Sequence, residues 1–236
     1  EGAQYTNGNT LIIGPPGQGK SVLVKYIFLW LTFLGQKILY IDPKNETVLF
    51  FKRALDKFGH IPEFKALYQR INFVSLSSEE RYRGMLDPLL FLPREEAIQT
   101  ARNVLENFGE VTTDSHTASD KKTLILDSVN AVMKGKGKKH LTKVIEVIRE
   151  KDPKLANLIS GHNVGLGKIL LGNDYSEPIR FENQINVLGT QGLKIPTQAE
   201  IDSGRLNNEQ IAGMSIMEVI MKMTTIFSTD KTEDAA

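Results

Sequence analysis

The run Gly14-Pro15-Pro16-Gly17-Gln18-Gly19-Lys20-Ser21 constrains this chain more than any other stretch, because it fits the pattern G-x-x-x-x-G-K-[ST] without a mismatch. The pattern carries a mechanism. Its glycines let backbone N–H groups curl around a polyphosphate, its lysine reaches the β- and γ-phosphates, and the hydroxyl after it holds Mg2+. The flanks suit that mechanism: residues 10–13 are a short apolar strand candidate, and residues 21–34 read as a helix that offers its N-terminus to the anion. Gly14, Pro15, Pro16, Gly17, Gln18, Gly19, Lys20 and Ser21 are therefore the candidate nucleotide-binding residues. Lys20 is the candidate catalytic cation and Ser21 the candidate Mg2+ ligand, and the ligand expected is a nucleoside triphosphate with Mg2+.

Composition narrows the class. The 236 residues suffice for one large domain or two small ones, and 41% apolar with 24% charged residues is ordinary for a globular protein. A net charge of +1 excludes a global electrostatic footprint for nucleic acid or anionic lipid, while leaving room for a local basic patch. With no cysteine there are no disulfides, thiolate metal sites or cysteine nucleophiles, which fits a reducing cytoplasm. Residues 26–34 form the most apolar segment, but its nine residues fall well short of the roughly 20 needed to span a bilayer. A helix apolar all round predicts burial against a sheet. No signal peptide is visible. The chain opens on Glu1 instead of Met, with the phosphate loop close behind, so a domain of something longer is expected.

Residues 37–42 and 71–75 read as strands around a helix over 47–58, giving β-α-β-α-β with residues 10–13. The chain then turns helical from Arg94 to about Leu158. Ile98, Ala101, Val104, Leu105 and Phe108 mark one face, Leu141, Val144, Ile145 and Ile148 another, and Asp152-Pro153 opens a further short helix. Residues 112–122 are expected to be a loop, and the charge run 134–139 a solvated turn in preference to a DNA-contacting one. A strand returns at 184–190, followed by a helix over about 207–227 whose Met214, Met217, Met221 and Met223 are expected to fill core against the sheet. The fold class expected is α/β: a P-loop NTPase (RecA-like) parallel sheet flanked by helices, with an all-α insertion. Its divisions are a first part of the NTPase core at 1–93, the insertion at 94–172 and a return to the core at 173–236.

An NTPase also needs carboxylates for Mg2+ and for the attacking water. Asp42, ending the second strand, and Glu46 four residues later are candidate catalytic residues, since ligands gather at the carboxyl ends of parallel strands. The alternative reading has Asp42 simply capping the next helix. Residues 123–127 superficially resemble a magnesium-binding strand, but Ile125, Val129 and Val132 share a helical face, so a helix capped by Ser119 or Asp120 is predicted. With four strand candidates the sheet looks incomplete, and a further strand is expected beyond residue 236. His60, His116, His140 and His162 show no metal-ligand spacing, and no serine sits on a nucleophile elbow.

The loop Gly14–Ser21, the turn Asp42-Pro43-Lys44-Asn45-Glu46, the motif Met85-Leu86-Asp87-Pro88-Leu89 and the strand region 185–196 occur in this order around a helical insertion. The ordered set resembles the motor ATPase of conjugative type IV secretion systems, the VirB-four-like group and in particular its Gram-positive relatives. The resemblance covers nearly the whole chain. It implies a RecA-like ATPase domain at the inner face of the cell membrane, in a homo-oligomer, hexameric in the intact protein, that contacts other secretion components and couples ATP hydrolysis to pilus assembly and DNA or protein transfer. It assigns Lys20 and Ser21 to phosphate and magnesium. It places Asp42, Lys44 and Glu46 in a family turn where a glycine often stands at the position of Asn45. In such proteins an Asp-Glu pair on the next strand completes the site, and this sequence ends before it, so little turnover is expected of these residues alone. A DNA translocase or coupling protein of the same superfamily, or a nucleotide-regulated assembly module without turnover, are the competing readings. Arg180 and Arg205 are candidates by charge alone for an arginine finger.

Overall fold

Side-chain alternation along three strands sorts the rest of the chain into two layers. The computed structural model describes residues 12–13, 15, 17–111, 116–181 and 183–229. Strands β1 (Ile38–Asp42), β2 (Ile71–Ser75) and β3 (Ile185–Gly189) form one parallel sheet in the order β1-β3-β2, so the last of the described strands lies in the middle. Asp42, Gly189 and Ser75 sit side by side in register at its carboxyl edge. All five β3 residues are buried, as a central parallel strand covered on both faces requires. The α/β class with a parallel sheet flanked by helices is thus the observed one.

On one face, Ile38, Ile71, Ile185 and Val187 pack with Phe28 of α1 (Lys20–Phe33) and with Val48 and Phe51 of α2 (Glu46–Phe58). Edge-on ring contacts run from Tyr40 through Phe28 to Phe51, which then meets Phe73. A short helix, α3 (Pro62–Gln69), leads into β2, with proline in its first turn. The opposite face carries Leu188 with Leu39, Ile41 and Val74 against the larger core. Period-2 alternation on each strand produces this division.

The larger core is built by α4 (Pro88–Phe91), α5 (Arg94–Phe108), α6 (His116–Lys134), α7 (Leu141–Lys151) and α8 (Pro153–Ser160), with residues 169–171 and buried side chains between 211 and 223 completing it. The predicted apolar faces hold: Ala101, Val104, Leu105, Phe108, Leu141, Val144 and Ile148 are all fully buried. Residues 123–127 lie inside α6, so Asp127 is helical and no strand carboxylate. After β3 come α9 (Gln198–Ser203), with a Thr197–Glu200 capping box, and the long α10 (Asn208–Thr229).

Four expectations are corrected. α1 is not buried all round: Phe28 and Thr32 are its buried residues, whereas Trp30 is 53% and Phe33 76% exposed. The cause is position, since α1 lies over β1, the edge of the described sheet, which covers one stripe only. The loop expected over 112–122 is helical from His116. Ser119 is an interior residue of α6, its carbonyl accepting the Thr123 hydroxyl at 3.0 Å, and residues 112–115 lie outside the described ones. The long last helix packs mainly on α5 and the 3-10 turn Gly165–Ile169; Met223 is buried but Met221 is 65% exposed, so the methionines are not uniformly core. Finally, of the strand expected at 10–13, Thr10 and Leu11 lie outside the described residues, and Ile12 and Ile13 belong to no strand.

Candidate functional site

The phosphate-loop pattern requires backbone that ordinary residues resist. Gly17 has φ 81° and Gly19 φ 77°, the left-handed region, and a Cβ on either would meet nothing within 4 Å. These glycines serve conformation, not space, and they leave the approach to the backbone open. Gly19 is the residue before α1, where no side chain caps the helix, and Leu23 N–H to Gly19 C=O at 3.0 Å is the first intrahelical bond. The uncapped first turn is where a helix offers N–H groups and positive dipole to an anion. Lys20 opens the helix and donates from Nζ to the Pro15 carbonyl at 2.6 Å, while Ser21 is exposed beside it. Gly14 and Pro16 lie outside the described residues.

The short link 34–37 returns the chain from the end of α1 to the start of β1, so helix and strand run antiparallel. The N-terminus of α1 therefore stands at the carboxyl edge of the sheet, the side on which ligands of parallel sheets bind. At that edge Asp42 ends β1, buried, and its Oδ2 accepts the Thr47 N–H at 2.7 Å. The carboxylate thus holds the first turn of α2. Asn45 makes the turn with φ 58°, a conformation open to glycine and, more rarely, to asparagine. Asn45 Oδ1 and Thr47 Oγ1 are buried with no hydrogen-bond partner among the described residues. Glu46 begins α2 and lines an open groove of about 480 Å³ along α2, to which α1 contributes Lys25, and its Oε2 lies 3.6 Å from Lys25 Nζ. Lys44 is exposed on the turn.

Lys25 and Asp87 were not singled out by sequence reasoning for any such part. Asp87, in the Met85–Leu89 motif, is wholly buried and accepts the N–H groups of Leu89 (3.0 Å), Leu141 (2.7 Å) and Gly172 (2.9 Å). Burial pushes its carboxyl up to about 7, against the three donors that pull it down. An Asp-Pro pair is a local signal for the cap on α4, a reading the sequence analysis did not make; the other two partners have no local signal.

Two of the four histidines have structural surroundings. His140 is buried, caps α7 by accepting the Lys143 N–H at its Nδ1, and places Nε2 3.4 Å from Asp174. His162 is buried and stacked on Phe108 at 4.2 Å. Burial lowers the pKa of both. In the charge run 134–139, Lys138 reaches the carbonyls of Asp174 and Ser176, and Lys139 reaches that of Gly135, so both tie down the turn. Among the described residues no group of three or more His, Cys, Asp or Glu could hold a metal ion. Nor is any described helix long and apolar enough to cross a membrane.

A phosphate loop opening a helix at the carboxyl edge of a parallel sheet defines a nucleotide-binding α/β domain. The chain belongs to the AAA-like domain family, which it matches over residues 1–236. It is also similar to the uncharacterized protein YddE of Bacillus subtilis (strain 168), 27% identical over 248 aligned positions that cover 99% of this chain and 29% of the relative. The chain thus spans less than a third of the length of that curated relative. No solved structure matches it.

Proposed function

We propose that this chain is the nucleotide-binding part of a motor ATPase that couples ATP hydrolysis to conjugative DNA or protein transfer, or to pilus assembly, in a type IV secretion system of the VirB-four-like kind. The observation that carries the reading is the left-handed Gly17–Gly19 loop delivering Lys20 to the uncapped N-terminus of α1. In this reading Gly17, Gly19 and Lys20 cradle the polyphosphate and Ser21 holds Mg2+, which supplies charge neutralisation on the phosphate oxygens. Glu46 is the residue of this chain placed to orient the attacking water. The working form is a homo-oligomer, a hexamer, attached to the inner face of the membrane through other secretion components, with DNA among its partners. The ordered motifs and membership of the AAA-like family support this.

Titration with a fluorescent ATP analogue in the presence of Mg2+ tests the binding step. Saturable binding that Lys20→Ala abolishes is expected; unchanged affinity in that variant overturns it. For the transfer role, Lys20→Ala in the intact protein should abolish conjugation in a mating assay, and normal transfer excludes the motor assignment. A second reading, a nucleotide-regulated assembly module without turnover, draws on the engagement of Asp42 with Thr47 and of Glu46 with Lys25. Oligomerisation supported equally by ATP and a non-hydrolysable analogue, with no phosphate release, would favour it.

A further inference from the structure

The outward side of α1 is apolar along its length. Val22, Leu23, Tyr26, Ile27, Trp30 and Leu31 are each at least 38% exposed and recur at the spacing of one continuous helix face. Beside Lys25 of that helix, the groove of about 480 Å³ along α2 exposes Leu49, Phe50 and Phe58. An aromatic side chain carries roughly 200 Å², so Tyr26, Trp30, Phe50 and Phe58, 39–57% exposed, leave about 400 Å² uncovered. The aliphatic side chains between them enlarge the patch beyond what a lone globular chain usually shows, and a patch of that size marks an interaction surface.

Shape and charge narrow what covers it. Glu46, Leu49, Phe50, Arg53, Lys57 and Phe58 follow one another at helical spacing, so the groove runs the whole length of α2, about 20 Å. An elongated channel of that length fits a rod of about four helical turns, not a plane. Its charged lining is mostly cationic: Lys25, Arg53 and Lys57 against Glu46 alone. Glu46 is already taken by Lys25 at 3.6 Å. Neither Arg53 nor Lys57 has a carboxylate partner among the described residues, and Lys57 Nζ rests over the Phe58 ring at 5.3 Å. A second copy offering the same face would set these cations against their own kind, so the surface does not complement itself.

We propose that the groove along α2, with the outward stripe of α1 beside it, docks an amphipathic helix of another polypeptide that has an apolar seam and an acidic flank. The seam enters among Leu49, Phe50 and Phe58, and the carboxylates of the flank face Arg53 and Lys57. Burial of the seam supplies the affinity, while the cations fix its orientation and select the partner. The inference does not rest on the nucleotide-binding reading, since no residue of the phosphate loop takes part.

Fluorescence anisotropy of a labelled, helix-stapled peptide tests the groove on the full chain. The probe is about four turns long, with leucine at i, i+3, i+4 and i+7 and glutamate on the flanking positions. Its counterpart carries lysine in place of each glutamate. The acidic peptide should saturate with a Kd below about 100 µM and bind at least about tenfold more tightly than the basic one at low salt. The double variant Arg53→Glu with Lys57→Glu should reverse that preference. Leu49→Ser with Phe50→Ser should weaken the acidic peptide at least about tenfold. Both variants alter exposed side chains, and unchanged circular dichroism verifies their fold. No saturable binding, equal affinity for the two peptides, or affinity that survives both variants overturns the proposal. Sedimentation that finds the chain self-associated, and dissociated by Leu49→Ser with Phe50→Ser, overturns it in favour of a second copy. Displacement of the peptide by vesicles of phosphatidylserine and phosphatidylcholine overturns it in favour of a membrane surface.

Discussion

Asp87 Oδ2 accepts the Leu141 N–H at 2.7 Å across 54 positions of sequence, and the same oxygen accepts the Gly172 N–H at 2.9 Å. One buried carboxylate thereby joins the segment after β2, the start of α7 and the segment that leads back to β3. Asp87→Ala would leave three buried N–H groups without an acceptor, each costing about 1–3 kcal/mol. A loss of at least ~3 kcal/mol in urea unfolding is expected. A loss below about 1 kcal/mol would show that water replaces the carboxylate and that the junction is not closed.

The same residue gives the stability a pH signature. Its folded pKa, about 7, lies above the ordinary 3.8 because burial disfavours the charge. Between those values the folded chain holds a proton that the unfolded chain releases. This contribution is full below about pH 4 and is lost as pH rises through about 7. His140 and His162, lowered by burial, act oppositely just below the ordinary histidine value, where stability rises with pH. Comparison with Asp87→Asn cancels the histidines. The deficit of the variant relative to wild type should shrink from pH 4 to 7, at about 1.4 kcal/mol per pH unit at its steepest. A constant deficit over that range contradicts the assignment.

Much of this was legible in the sequence because it rests on local rules. Strands 71–75 and 184–190, the helix faces of 94–108 and 141–151 and the helical identity of Asp127 all follow from periodicity over a few residues. The glycines of the loop were legible for the same reason. What escaped depends on neighbours far away in sequence. The exposure of Trp30 and Phe33 depends on where β1 sits in the sheet, and the pairing of Lys25 with Glu46 on how α1 lies beside α2. For Asp42 the sequence left two readings, a cap or a catalytic carboxylate. Its bond to Thr47 shows that the carboxylate serves the helix start, whatever else it does.

Gly189 and Asn45 form a matched pair. A Cβ on Gly189, the last residue of the central strand, would lie 2.8 Å from Asn45 Oδ1 and 3.4 Å from Ser75 Oγ. Gly189→Ala should therefore cost about 1–3 kcal/mol by overpacking. Asn45→Gly suits the left-handed backbone and removes the amide, so the double variant should recover most of that loss. A double-mutant cycle in thermal unfolding reads the coupling, expected above about 0.5 kcal/mol. Strict additivity would mean that Asn45 turns away from the strand at no cost and that the pair is not matched.

The uneven burial of α1 separates residues that composition alone treats alike. Phe28 is 6% exposed and meets Tyr40 and Phe51 edge-on, whereas Phe33, five positions on, is 76% exposed. Phe28→Ala removes a ring from a packed cluster and should cost about 3–5 kcal/mol. Phe33→Ala removes little from contact and should stay within about 0.5 kcal/mol. Urea unfolding of the two variants, with Trp30 fluorescence as one probe and circular dichroism as the other, measures the contrast. Equal losses would place α1 against a surface that covers its whole circumference. In that case the burial expected from its all-round apolar character would be restored, and the edge position of β1 would no longer account for the helix.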